Sequence, residues 1–229
     1  MIDETESNER LRRIFSEVGK GYRYDSVQAE FMAFNDVKVR WQRSYGWIDF
    51  KVSDYLNDAP DRVLEGLARS LFERIENGDA EYSAELLEWV TSPDFSVMKN
   101  HIYLSRCPQF LNTVQGRSKN LMDAYDRLVG AGLVPYDPSI VLTWELPGLN
   151  GKMGHCSVLM RVVAVSELLD RDDVPDYVLD YCLYHELCHI IVGYNPDGNV
   201  HEEEYYGYED RFPDKSEAVG WLRTRSVYA

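Results

Sequence analysis

His185, Glu186 and His189 combine residue types and a spacing that suit metal-dependent hydrolysis. The two histidines are four apart, so on a helix both imidazoles leave the same face about one turn apart. That is the bite two ligands of one tetrahedral zinc ion require. Glu186 sits beside them, positioned to reach a water on the metal without ligating. Zinc lowers the pKa of such a water to about 7, and a carboxylate can take its proton as it attacks a carbonyl. The resulting carboxylic acid can then protonate a leaving amine.

A His-Glu-x-x-His pattern also arises by chance, and a histidine pair on a helix can be an ordinary surface or core feature. Context favours the metal. The preceding run Tyr177-Val-Leu-Asp-Tyr-Cys-Leu-Tyr184 is apolar and helical, so the motif rides on a buried helix. Unpaired polar groups there are costly. His201 follows beyond the loop Asn195-Pro-Asp-Gly-Asn199, which can bring the chain back under the helix. As a third imidazole, His201 leaves the fourth zinc position for water, as a catalytic site requires. The rivals are a solvent-exposed loop histidine at 201 or a glutamate ligand from a later segment. Glu217 is the best placed of these, with Glu202, Glu203 and Glu204 behind it. His101 and His155 are isolated; His155 reads either as a polar strand end or as a substrate-side group. Tyr205, Tyr206 and Tyr208 read as a packing wall, with one hydroxyl a candidate oxyanion donor.

The elements that must carry these residues follow from periodicity. Leu11, Ile14, Phe15 and Val18 predict a helix over 5–18. Alternating segments at 36–41 and 46–52 predict a hairpin. Helices are expected from Asp58 through Ile75, ending at Asn77-Gly78, and over 82–92, with an irregular stretch to about 117. A helix over 118–130 and a strand over 139–145 lead to a turn at 147–151 and one long strand from His155 to Ser166. The metal-bearing helix is expected from about Val174 to Val192, with Asp172 or Asp173 as its cap and Pro175 in its first turn. Segments 201–209 and 216–225 close the chain as helices. A strand before the metal helix can pair with extended substrate, or can be an interior strand; the sequence leaves the edge open.

Composition bounds the rest. A hydrophobic content of 45% with 13% aromatics belongs to a folded globular chain of 229 residues. No apolar run is long enough to span a bilayer, and the polar, acidic start is unlike a signal peptide. Cys107, Cys156, Cys182 and Cys188 form no CxxC pair, which points to a reduced, cytoplasmic protein. The net charge of −15 and the lack of a Lys/Arg cluster argue against a nucleic-acid partner. With 7 Lys, 17 Arg and 39 acidic residues, the composition resembles that of proteins from salt-loving archaea. Salt screens the self-repulsion of such a surface.

From about Ser139 onward the chain resembles the SprT-like group of small zincins. The resemblance is carried by Arg161-Val-Val-Ala-Val-Ser-Glu-Leu-Leu-Asp170, by Val174 through His189, by His201-Glu-Glu-Glu-Tyr205, and by Tyr208-Glu-Asp-Arg-Phe-Pro213 with Glu217-Ala-Val-Gly-Trp-Leu222. Ile48 to Ile75 is also similar to prokaryotic members; residues 79–135 match nothing in the group. The resemblance implies His185, His189 and His201 as zinc ligands and Glu186 as general base. Two departures stand out. Glu202 occupies a position where the group often has Gly, and neither a zinc ribbon nor a basic DNA-binding extension is expected from these residues. The second makes action on DNA-crosslinked proteins doubtful.

The expectation is therefore an α+β, zincin-like fold: a small mixed sheet with a buried HExxH helix packed against it. Residues 1–78 are expected to join that domain, 79–135 to form a helical insert and 136–229 the catalytic core. The expected function is zinc-dependent hydrolysis of peptide bonds in a peptide or protein substrate. Two alternatives are a zinc-bearing binding or regulatory protein that cleaves little, and a DNA-associated protease of the SprT type.

Overall fold

The computed structural model describes residues 4–78, 80–148, 151–198 and 201–224. The chain is mixed α+β and divides into two compact units, Met1–Phe95 and Ser96–Ala229.

The first unit holds α1 (Glu4–Gly19), β1 (Ser26–Met32), β2 (Val39–Ser44), β3 (Trp47–Ser53), α2 (Asp61–Asn77) and α3 (Ala84–Val90). The strand order is β1-β3-β2, with β3 parallel to β1 and antiparallel to β2. Strand alternation sends Val27, Ala29, Ile48, Phe50 and Val52 to the buried face. Phe50 meets Phe15 of α1 at 5.0 Å and Phe72 of α2 at 5.3 Å between ring centroids. The expected hairpin is present, but its first strand runs to Ser44, and only Tyr45-Gly46 turns the chain. Gly46, at φ 80°, supplies the left-handed backbone that such a tight turn needs. β1 was not anticipated: Ala29 makes its inward stripe thin, and Gln28 and Glu30 flank it.

The second unit carries most of α4 (Pro93–Arg106), then α5 (Leu121–Gly130), β4 (Val141–Glu145), β5 (Gly154–Ser157), β6 (Val162–Ser166), α6 (Asp176–Val192), α7 (Glu203–Glu209) and α8 (Lys215–Thr224). Its strand order is β4-β6-β5, with β6 parallel to β4 and antiparallel to β5. The single long strand expected over 155–166 is thus two strands of a hairpin. Arg161, at φ 52°, helps turn the chain between them, and no residue type in the apolar run from Val158 to Met160 announces the reversal. β6 is buried at every position, which explains its apolar run from Val162 to Val165. α4 also replaces a stretch expected to be irregular, where Pro93 opens the helix rather than breaking it.

The two outer strands of this sheet differ. Segment 109–113 covers β4: the Leu111 amide donates to the Trp144 carbonyl at 2.8 Å, and the Trp144 amide donates to the Thr113 carbonyl at 3.1 Å. Among the described residues no strand pairs with the other side of β5. Among the described residues, β5 is the outer strand on that side.

α6 packs against β5, β6, α5, α7 and α8, so it is buried around almost its whole girth. Leu179, Leu183 and Leu187 share its core with Trp144, Val163 and Val165. Each such side chain, fully buried, stabilises the fold by about 1.5–3 kcal/mol. Asp180 is also buried, and Arg127 of α5 grips it through two hydrogen bonds of 2.6 and 2.8 Å. Pro175, rather than Asp172 or Asp173, sits at the cap position, where its fixed φ suits helix entry. The helix ends at Gly193, φ 94°, whose amide reaches back to the His189 carbonyl at 3.0 Å. The expected turn at 147–151 and loop at 195–199 include residues 149–150 and 199, which lie outside the described residues, as does Arg225 of the last expected helix. No helix among the described residues is long and apolar enough to cross a membrane.

Candidate metal centre

One turn of α6 presents His185 and His189 on the same side, with ring centroids 5.7 Å apart. His201, just before α7, closes the group at 5.8 Å from His185 and 5.0 Å from His189. One ring nitrogen from each lies within 4.8 Å of the other two, and these three residues are the metal-capable cluster among the described residues. Ligands of a tetrahedral zinc with Zn–N near 2.05 Å stand roughly 3.3 Å apart, so small ring rotations suffice. The donor set fits. Glu217 and Glu202 to Glu204 are exposed and outside the cluster.

The electrostatics suit ligation. Burial pushes the His189 pKa down to about 4, helped by the neighbouring His185 and His201. His201 is shifted down as well, by burial and by His185. Neutral imidazoles offer lone pairs, whereas protonated ones would not. Tyr205, fully buried in α7, stacks on His189 at 4.6 Å and brings its hydroxyl to 2.8 Å from His185 Nδ1. The same hydroxyl donates to the His185 carbonyl at 3.1 Å. Tyr205 is therefore a wall that fixes two imidazoles, and its hydroxyl lies behind His185 at Nδ1. Tyr184 donates to the Tyr208 carbonyl at 2.6 Å, tying α7 further to α6.

Glu186 projects into a cavity of about 390 Å³ bordered by all three histidines, by Met153 to Cys156 around β5, and by Lys152 and Cys182. Burial, followed by the charge of Glu145, raises its carboxyl pKa to about 8. Gly154 makes room for it: a Cβ there would come within 2.7 Å of Glu186 Cγ and Oε1. The edge strand thus lies directly over the carboxylate because position 154 has no side chain. His155 alternates to the other side of β5, where Tyr103 Oη meets its Nε2 at 2.6 Å and Phe110 is a ring neighbour; it also borders the cavity. His101 is exposed on α4, outside the cluster.

Sequence reasoning missed Glu209, the last residue of α7. It is buried, and its Oε1 lies 2.7 Å from His185 Nδ1. Spacing gave no signal for it, because the chain has 39 acidic residues. Gly154 was missed for a related reason: a glycine next to a strand reads as a turn until the neighbouring helix is in place.

Mixed α+β architecture, a HExxH helix packed on a small sheet and a third histidine from the following segment together make a zincin-type metal site. This arrangement is consistent with metal-dependent peptide hydrolysis. Comparison of the chain with protein-family models, with curated proteins and with solved structures gave no match.

Proposed function

We infer that the protein is a zinc-dependent metallopeptidase acting on extended segments of peptide or protein. The observation that carries this is the convergence of three imidazoles beside a buried carboxylate, in a cavity bordered by β5, the outer strand of its sheet among the described residues. His185, His189 and His201 would hold the zinc. When bound, zinc supplies Lewis acidity, which polarises a carbonyl and makes water acidic near neutrality.

The chain's own groups do the rest. Glu186 takes a proton from the attacking water and later passes it to the leaving amine nitrogen. Its raised pKa suits the second task, and a cation held by the three histidines would favour the carboxylate form that the first requires. The outer side of β5, with which no strand among the described residues pairs, can hydrogen-bond an extended backbone and lay it across the cavity. Met153, Cys156 and Cys182 give the cavity part of an apolar wall. All four cysteines are free thiols, which supports a reducing, cytoplasmic setting.

The test compares cleavage of an unfolded protein substrate by the wild type, by Glu186→Gln and by chelator-treated protein. Loss of about 10²- to 10⁴-fold in Glu186→Gln, and recovery of the chelated enzyme with zinc, are expected. Cleavage that survives both treatments would refute the assignment; a zinc-loaded wild type that cleaves nothing would make the protein a zinc-bearing binding module instead.

A further inference from the structure

We propose that Glu209 is a positioning residue for the metal centre, locking the His185 ring so that its Nε2 faces the ion. The proposal rests on the zinc-site reading and extends it to a residue outside the ligand set. Three donors converge on the Glu209 carboxylate. His185 Nδ1 lies 2.7 Å from Oε1, the Tyr181 hydroxyl donates to Oε1 at 3.0 Å, and Lys215 Nζ donates to Oε2 at 2.5 Å. Each comes from a different turn: Tyr181 and His185 from successive turns of α6, and Lys215 from the start of α8. The carboxylate is buried, with 5% of its residue surface exposed, so water does not compete for these bonds.

A carboxylate paired with an ammonium group accepts hydrogen bonds and does not donate them. The proton on His185 therefore belongs at Nδ1, leaving the lone pair on Nε2. The same bond makes the imidazole a more basic ligand and fixes the plane of the ring. Tyr205, sharing Nδ1 at 2.8 Å, bars the ring from swinging aside. Glu209 is not itself a ligand, because it binds the far side of the imidazole and its oxygens already serve three donors. Lys215 holds the carboxylate in place and also pairs with Asp210 at 2.7 Å. The chain after His201 is thereby linked to the ligand set: α7 brings the carboxylate, and α8 brings its anchor.

The experiment titrates zinc into metal-free wild type, Glu209→Gln and Lys215→Met in competition with a chromophoric chelator. Visible spectra of the cobalt-substituted proteins and unfolding midpoints of the metal-free forms are recorded alongside. Glu209→Gln is expected to weaken zinc binding about 10- to 100-fold and to shift the cobalt bands. Lys215→Met should weaken binding less and in the same direction, and it covers the case in which Glu209→Gln does not fold. A role confined to packing would lower the midpoint and leave affinity and spectrum unchanged; that result overturns the proposal. Wild type that binds no zinc would remove the site itself, and the positioning role with it. Zinc-binding wild type indistinguishable from both variants would remove the positioning role alone.

Discussion

Glu186, the proposed general base, also carries a cost. In the metal-free protein its folded pKa of about 8 lies above the usual carboxylate value, chiefly because it is buried. A group whose pKa rises on folding gives stability that is complete below its unfolded pKa and is lost as pH climbs through the folded value. Metal-free wild type should therefore lose stability relative to metal-free Glu186→Gln between about pH 5 and about pH 9. Thermal melts should coincide near the lower pH and separate at the higher, with Gln the more stable; a gap independent of pH would contradict the shift. The residues of this motif were legible because a spacing of four on a helix has one geometric meaning. Glu209 was not, because its partners come from sequence positions whose proximity only the folded chain creates.

At the scale of elements, α6 and β5 determine what the site can do. α6 was readable from its apolar run and its stop at Gly193, even though its cap differs from the expected aspartates. β5 was hidden inside one apparent strand, since Val158 to Met160 continues the apolar pattern through the turn. The hidden turn concealed the outer strand of the sheet, on which the proposed placement of a peptide depends. The close approach of β5 to Glu186 depends on Gly154. Gly154→Ala should push the carboxylate aside, lowering kcat by at least about tenfold while leaving zinc affinity intact, because the imidazoles lie elsewhere. Parallel measurements of turnover and zinc binding check this. An unchanged kcat would mean that Glu186 has slack the packing does not suggest.

The whole molecule is an acidic chain of net charge −15 in two compact units, with the metal centre wholly in the second. Composition indicated a folded, acidic chain, and the structure agrees in kind: two small three-stranded sheets with helices. Most helices were foreseeable from their apolar stripes. α4, with its weaker stripe, and β1, with its small Ala29, were not. Self-repulsion among the unbalanced acidic groups should make stability depend on salt. The melting temperature should rise between about 0.05 M and about 2 M sodium chloride, by more than the general effect of salt on hydrophobic burial seen in a near-neutral protein. A flat response would show that the charge is well dispersed.

The most direct test of the metal centre is an anomalous-scattering map at the zinc edge, from crystals of the purified protein, with metal content measured on the same sample. One zinc per chain is expected, bounded by His185, His189 and His201, and its loss is expected in His201→Ala. Absence of stoichiometric metal, or a peak away from these three imidazoles, would contradict the account.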